Sequence, residues 1–288
     1  MTIEEDKVIR VFPRKTKWSP KDDLAFFDEP PLFELPDLPV MVSVAFTWDI
    51  EKGKRLATSW GKRCREVWIG GPAFDDPAEE FVPGRFLCKG VTITSRGCPN
   101  RCEFCYVHKR EGRIRELSIR DGWVVQDNNL LACSLKHIIK VFKMLLRQPL
   151  GAMFCGGLDV DLIKPWHIDA IKELQLSHKF GALWVAFDGP RGMKNLDKAS
   201  DMLSDFSQER KFAYVLIGYE GDTTSDAEGR CERVYKAGFL PFAMLLDNNS
   251  DPTWKPVQRR WARPAIYRSK KSMKNSLSIR SSAATHDQ

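Results

Sequence analysis

GVTITSRGCPNRCEFCYVHK, residues 90–109, runs from a β-branched stretch straight into a loop carrying Cys98, Cys102 and Cys105. Val91, Thr92, Ile93 and Thr94 suit a strand, and Gly97 and Pro99 end it. Outward from this point the chain alternates. WVVQDNNLL (123–131) reads as a second strand and SLKHIIKVFKMLLRQ (134–148) as a helix. Ser134 is its expected N-cap, with Ile138, Ile139, Phe142, Leu145 and Leu146 on one face. AMFCGGLD (152–159) is a third strand, and PWHIDAIKEL (165–174) a helix with proline in its first turn. ALWVAFD (182–188) and NLDKASDMLSDF (195–206) form the fourth strand and its helix. KFAYVLIGYEG (211–221) is the fifth strand, followed by a helix opening on a Ser225–Glu228 capping box and stopping at Gly238. LPFAMLL (240–246) is the sixth strand.

Parallel strands need crossover connections, so six such units predict a parallel sheet, either a partial barrel or an open doubly wound sheet. Both bind ligands at the carboxyl ends of strands. Polar and glycine-rich groups fall there: the cysteine loop, Gln126-Asp127-Asn128-Asn129, Gly156-Gly157-Leu158-Asp159, Asp188, and Gly218-Tyr219-Glu220-Gly221. They are expected to share one mouth.

Upstream, residues 1–38 are rich in proline and charge and read as an extended arm without regular structure. Residues 39–88 read as a small αβ stretch: strand VMVSVAF (40–46), helix DIEKGKRLATSWGKR (49–63) and strand EVWIGGP (66–72). The core spans 89–250, and 251–288 is a basic C-terminal tail. The chain has 288 residues, 43% of them hydrophobic, enough for a substantial core. The first ten residues lack the apolar segment of a secretory signal, and no apolar run approaches the roughly 18 residues of a spanning helix. A cytoplasmic protein without a membrane is therefore expected. Eight cysteines in irregular spacing suit a reducing compartment better than a disulfide framework. The net charge of +7 lies largely toward the C-terminus, at Lys255, Arg259, Arg260, Arg263, Arg268, Lys270, Lys271, Lys274 and Arg280. That is either an electrostatic footprint for nucleic acid or a solvated, disordered tail.

Three clustered thiolates select zinc, copper(I) or an iron–sulfur cluster. A closed zinc site needs four ligands, and His108, three residues after Cys105, could supply the fourth. A 4Fe–4S cubane also usually takes four cysteines, so three leave one iron open to a substrate or cofactor. The C-x3-C-x2-C spacing, with Phe104 before the last cysteine and a strand before the loop, resembles the radical S-adenosylmethionine superfamily. The resemblance covers roughly residues 90–246. It is nearest to bacteriophage and bacterial members whose cluster loop follows a GVTITSRGCP-like strand.

That resemblance implies a partial (βα)6 TIM-like barrel with the small αβ layer and the arm beside it. It implies that Cys98, Cys102 and Cys105 hold three irons of a 4Fe–4S cluster while S-adenosylmethionine chelates the fourth. Reductive cleavage then yields methionine and a 5′-deoxyadenosyl radical that takes a hydrogen atom from substrate. It implies cofactor contacts from Phe104 and from Gln126, Asp127 and Asn128 at the second strand end. Asp188 would face the ribose. LIGYEGDT (216–223) resembles an adenine motif, placing Gly218 and loosely Glu220 or Asp222 there, with backbone contacts from Met244 to Leu246. Gly156-Gly157 lies one strand later than the family's Gly-Gly-Glu motif and is not equated with it. The electron donor would be a flavodoxin or ferredoxin. Residue by residue, plainer readings stand beside these: Asp188 starts a turn, and Asp127 caps a strand.

Arg96, Arg101, Lys109 and Arg110 surround the loop, suited to an anionic cluster or substrate, or simply solvated. Cys133 and Cys155 read as buried thiols, either of which could donate a hydrogen atom. Residues 40–72 look like a truncated cobalamin-binding domain without the Asp-x-His-x-x-Gly ligand pattern, so cobalamin is not expected. The substrate could be a nucleic-acid base or nucleotide, as in an isomerase of phage thymidine hypermodification, with the host cytoplasm as location. A small molecule or peptide is also open. The alternatives are a non-catalytic zinc or iron–sulfur module binding nucleic acid, and a methyl transferase lacking its usual carriers.

Overall fold

The computed structural model describes residues 7–75, 80–177, 181–188, 192–246, 249 and 251–269. The chain forms two compact units, divided between Leu150 and Gly151.

The first unit opens with β1 (Ile9–Val11), β2 (Ala25–Phe26), β3 (Val40–Ser43), helix α1 (Ile50–Gly61) and β4 (Val67–Gly70). The four strands form a parallel sheet in the order β2-β1-β3-β4. Ile9, Val11, Val40, Val42, Leu56 and Trp60 make its core. The N-terminal arm is therefore not without structure: it supplies an inner strand, β1, buried throughout. Three residues are too few to show a period, and Arg10 interrupts the apolar run. Arg10 is nevertheless buried, because Asp22 pairs with its guanidinium. Helix α1 lies close to the sheet because Gly53 allows it. A Cβ there would come within 2.5 Å of Val44 Cγ2.

The same unit continues with β5 (Val91–Thr92), β6 (Ser95–Arg96), α2 (Val107–Arg110), β7 (Arg115–Glu116), β8 (Val124–Val125) and α3 (Leu135–Leu146). β5 and β8 pair in parallel, while β6 and β7 form an antiparallel pair that closes the cysteine loop. Ser134 caps α3, accepting from His137 N at 3.2 Å, as its sequence predicts. The buried face differs from the apolar count. His137 and Val141 are inside, whereas Ile139 and Leu146 are 39% and 52% exposed. A buried polar network, described below, draws His137 inward. The strand expected over 123–131 ends at Val125, since the side chains of 127–129 turn to hold the loop.

The second unit comprises β9 (Met153–Leu158), α4 (Pro165–Glu173), β10 (Leu183–Ala186), α5 (Leu196–Met202), β11 (Lys211–Ile217), α6 (Thr224–Lys236), β12 (Leu240–Leu245) and α7 (Trp254–Trp261). β9, β10, β11 and β12 pair in parallel in chain order. The protein is thus α/β, with parallel sheets and helices between successive strands. Pro165 begins α4 as expected. Helix α6 starts earlier than its expected capping box. Thr223, the last extended residue, accepts from Asp226 N at 3.1 Å, and Ser225 already lies inside the helix. Gly238 follows the helix at φ +85°, the left-handed stop its position predicts.

The basic tail is also ordered in its first part. α7 buries Trp254, Val257 and Trp261, a stripe at three- and four-residue spacing that the charges conceal. Arg268 pairs with Glu209 at 2.9 Å and Arg260 with Glu228. Lys270, Lys271, Lys274 and Arg280 lie outside the described residues. No helix among the described residues is long and apolar enough to cross a membrane.

Candidate functional site

The cysteine loop begins at Gly97, which only glycine can occupy. Its φ is +87°, and a Cβ would strike the Arg113 carbonyl oxygen at 2.1 Å. Cys98 N donates to the Gly112 carbonyl at 3.2 Å, and Cys105 N donates to the Cys102 carbonyl at 3.0 Å. The second and third cysteines thus share one tight turn, inside a loop closed by β6 and β7.

The end of β8 holds this loop from below. Asp127 accepts from Thr94 N at 2.7 Å, Thr94 Oγ1 at 2.6 Å and Ser95 Oγ at 2.7 Å. Asn128 Oδ1 accepts from Gly97 N at 3.0 Å. Asn129 Nδ2 reaches the first cysteine itself, donating to Cys98 Sγ at 3.4 Å. Behind Asp127, His137 Nε2 lies 3.3 Å from Thr94 Oγ1, and its Nδ1 lies 3.6 Å from Glu116 Oε2. Polar atoms therefore run from a half-exposed carboxylate inward to a buried one. Burial raises the pKa of Asp127, against the pull of its donors from Thr94 and Ser95.

Of the residues expected at a cofactor, Asp127 bonds to the strand end before the loop and Asn128 to the loop's first residue. Gln126 and Phe104 are both half-buried, Gln126 just after β8 and Phe104 between two cysteines. The signal for His137, Thr94 and Ser95 was faint, a histidine in a first helical turn and hydroxyls in a strand.

All eight cysteines are thiols, and those at 98, 102 and 105 are partly accessible. Burial pushes the Cys133 thiol up to about 11, so it stays protonated at neutral pH. Among the described residues no group of three or more His, Cys, Asp or Glu side chains is arranged to hold a metal ion. The donor chemistry of the loop, three closely spaced cysteine thiols, suits a soft metal. A cleft of about 310 Å³ beside Cys98 is also lined by Arg101, His108 and Arg113. His108 Nδ1 is buried there without a hydrogen-bond partner.

The surroundings are cationic. Glu111 is buried between Arg110 at 3.1 Å and Arg115 at 3.2 Å, two guanidinium groups on one carboxylate. Arg96 adds a third cation, whose pKa burial lowers, with Glu111 and Asp127 opposing. Arg101 and Lys109 are exposed on the loop.

In the second unit the other expected residues follow strands. Asp188 lies just past β10, and its Oδ1 accepts from Leu216 N at 3.0 Å. Burial pushes this carboxyl up to about 6. Gly218, at φ +74°, follows β11. Its N–H donates to Asp222 Oδ2 at 2.9 Å, and its carbonyl accepts from Asn249 Nδ2 at 2.7 Å. The two acidic candidates separate: Glu220 is exposed, whereas the Asp222 side chain is 1% exposed and grips Arg230 at 2.7 and 2.8 Å. Met244 is 44% exposed on β12. Arg230 and Asn249 were not foreseen, since their partners lie 8 and 31 residues away.

No protein-family model matches the chain, and no curated protein matches it either.

Proposed function

We propose that the chain is a radical S-adenosylmethionine enzyme. One observation carries the reading. Three partly accessible thiols at 98, 102 and 105 stand in a loop after a strand, and the next parallel strand's end holds that loop. When bound, a 4Fe–4S cluster with S-adenosylmethionine supplies one-electron cleavage of the sulfonium C–S bond and a 5′-deoxyadenosyl radical that takes hydrogen from substrate. Cys98, Cys102 and Cys105 would ligate three irons. Asn129 would donate to the first sulfur, a hydrogen bond of the kind that tunes such clusters. Asp127 and Asn128 act as positioning residues through the loop. Gln126 and Phe104 are the candidates for the methionine end, Asp188 for the ribose, and Gly218, Glu220 and Met244 for adenine.

The cationic rim of Arg96, Arg101 and Lys109 suits an anionic substrate or the acidic face of a flavodoxin or ferredoxin donor. With the net charge of +7, it supports a nucleotide or nucleic-acid base as substrate, isomerised or oxidised by the radical. A reducing cytoplasm suits such chemistry. A second reading rests on His108, a residue that lines the Cys98 cleft and whose Nδ1 is buried without a hydrogen-bond partner. It makes the loop a three-cysteine, one-histidine zinc site in a binding module.

Anaerobic reconstitution with iron and sulfide separates the two. The expected result is a brown protein that, once reduced, releases 5′-deoxyadenosine, and a Cys102→Ala variant that does not. Stoichiometric zinc in the purified protein, with no broad visible absorbance and no 5′-deoxyadenosine, would replace the radical reading with the zinc one.

A further inference from the structure

We infer that the first unit carries a second ligand site, for a nucleoside phosphate, at the carboxyl ends of β1 and β3. The strand order β2-β1-β3-β4 reverses direction between β1 and β3. In open parallel sheets that reversal parts the loops leaving the two neighbouring strands, and ligands settle in the gap. The residues leaving these strands have the chemistry for one. After β3, Phe46 and Trp48 stack with centroids 4.8 Å apart and planes 9° apart. After β1, the Arg14 guanidinium lies 5.8 Å from the Phe46 ring centre and 5.9 Å from that of Trp48.

The arrangement is held from beneath. Asp49, buried at the start of α1, takes Arg14 Nη2 at 2.8 Å as well as its Nε. Arg14 is thereby fixed in orientation, and its charge is balanced. Lys15 and Lys17, exposed on the same segment, have no such carboxylate among the described ion pairs; each lies over an aromatic ring instead. Trp48, at 59% exposed, offers an open indole face backed by Phe46. A flat base can stack on it, and the flexible chains of Lys15 and Lys17, resting over Phe27 and Trp18, would swing toward Trp48 to meet its phosphate.

A single nucleotide fits better than a polymer. A track for single-stranded nucleic acid needs successive open rings. Of the rings in the segments after β1 and β3, Trp48 is exposed, while Trp18 and Phe46 are half-buried and Phe12 is buried. The inference uses only first-unit residues outside the cysteine loop, so it goes beyond the radical reading and can fail separately from it.

The test is titration calorimetry of the full chain with ADP, with adenosine and with a thymidine oligonucleotide, alongside a separate iron assay. ADP is expected to bind. Trp48→Ala should weaken ADP and adenosine alike by about tenfold, the scale of one lost base stack, while Trp48→Phe restores most of it. Replacing both Lys15 and Lys17 by alanine should weaken ADP but leave adenosine unchanged. Because these side chains are exposed, unchanged circular dichroism should show intact folding in every variant. No ADP binding up to about 1 mM would overturn the site, as would ADP binding indifferent to Trp48→Ala. Salt-sensitive oligonucleotide binding without ADP binding would overturn it too, in favour of a polymer surface.

Discussion

The loop after β6 and the loop after β11 each follow a strand, β6 in an antiparallel pair and β11 in a parallel sheet, and they use their polar residues in opposite ways. In the first, the carboxylate of Asp127 and the amides of Asn128 and Asn129, just past β8, bind the strand end, Gly97 and Cys98, and the three thiols stay partly accessible. In the second, the loop's own Asp222 is consumed by Arg230 and the Gly218 amide, and of its two acidic residues Glu220 is the exposed one. Polar side chains at a strand end are therefore not equivalent to polar side chains offered to a ligand. Buried hydrogen-bonding groups must be satisfied first, and what is left over is what a ligand can meet.

The sharpest way to break this contrast is Asp222→Ala. The Arg230 side chain is only 12% exposed, so losing its carboxylate should lower stability by about 3–5 kcal/mol in urea unfolding. A loss below about 1 kcal/mol would show the pair to be screened like a surface one, and the loop not self-contained.

Asp188 comes next. Its folded value of about 6 lies above the ordinary 3.8, so the folded chain holds the proton more tightly than the unfolded one. The stabilisation is full below the ordinary value and is lost as pH rises through about 6. Asp188→Asn should remove that decline and gain up to about 3 kcal/mol at neutral pH, with its amide oxygen still accepting from Leu216. Parallel stability–pH curves for the two proteins would refute the burial of this carboxyl.

Asp127→Asn probes the first loop. It keeps an acceptor but turns an NH2 toward hydroxyl donors, for a loss of about 2 kcal/mol. Iron uptake on reconstitution should fall with it. Undiminished iron in the destabilised variant would show that the clamp supports the fold and not the thiols. The smallest effect is expected at Asn129→Ala, about 1 kcal/mol or less. In the reconstituted protein it should lower the reduction potential, because a hydrogen bond to a cluster sulfur is lost. An unchanged potential would separate Asn129 from the metal site.

The alternation of strand and helix from residue 90 onward was legible because each element has its own punctuation: Ser134 and Pro165 at helix starts, Gly238 at a stop, apolar runs between. The thiol triplet was legible for the same reason, since cysteines three and four residues apart are local information. Short elements were not. β1 has three residues with an arginine at its centre, and the stripe of α7 is outnumbered by its cations.

By itself the sequence determined an α/β chain with parallel strands and a loop of three closely spaced cysteines. Only the tertiary structure decided which polar residues are spoken for. Asp127 and Asp222 look as available as Asp188 or Glu220 in one dimension. Their partners, Thr94, Ser95 and Arg230, are set by pairing across strands and loops, where distance along the chain carries no information. The same holds for Arg14, Phe46 and Trp48, 34 residues apart at the extremes and brought to one place by the register of β1 against β3.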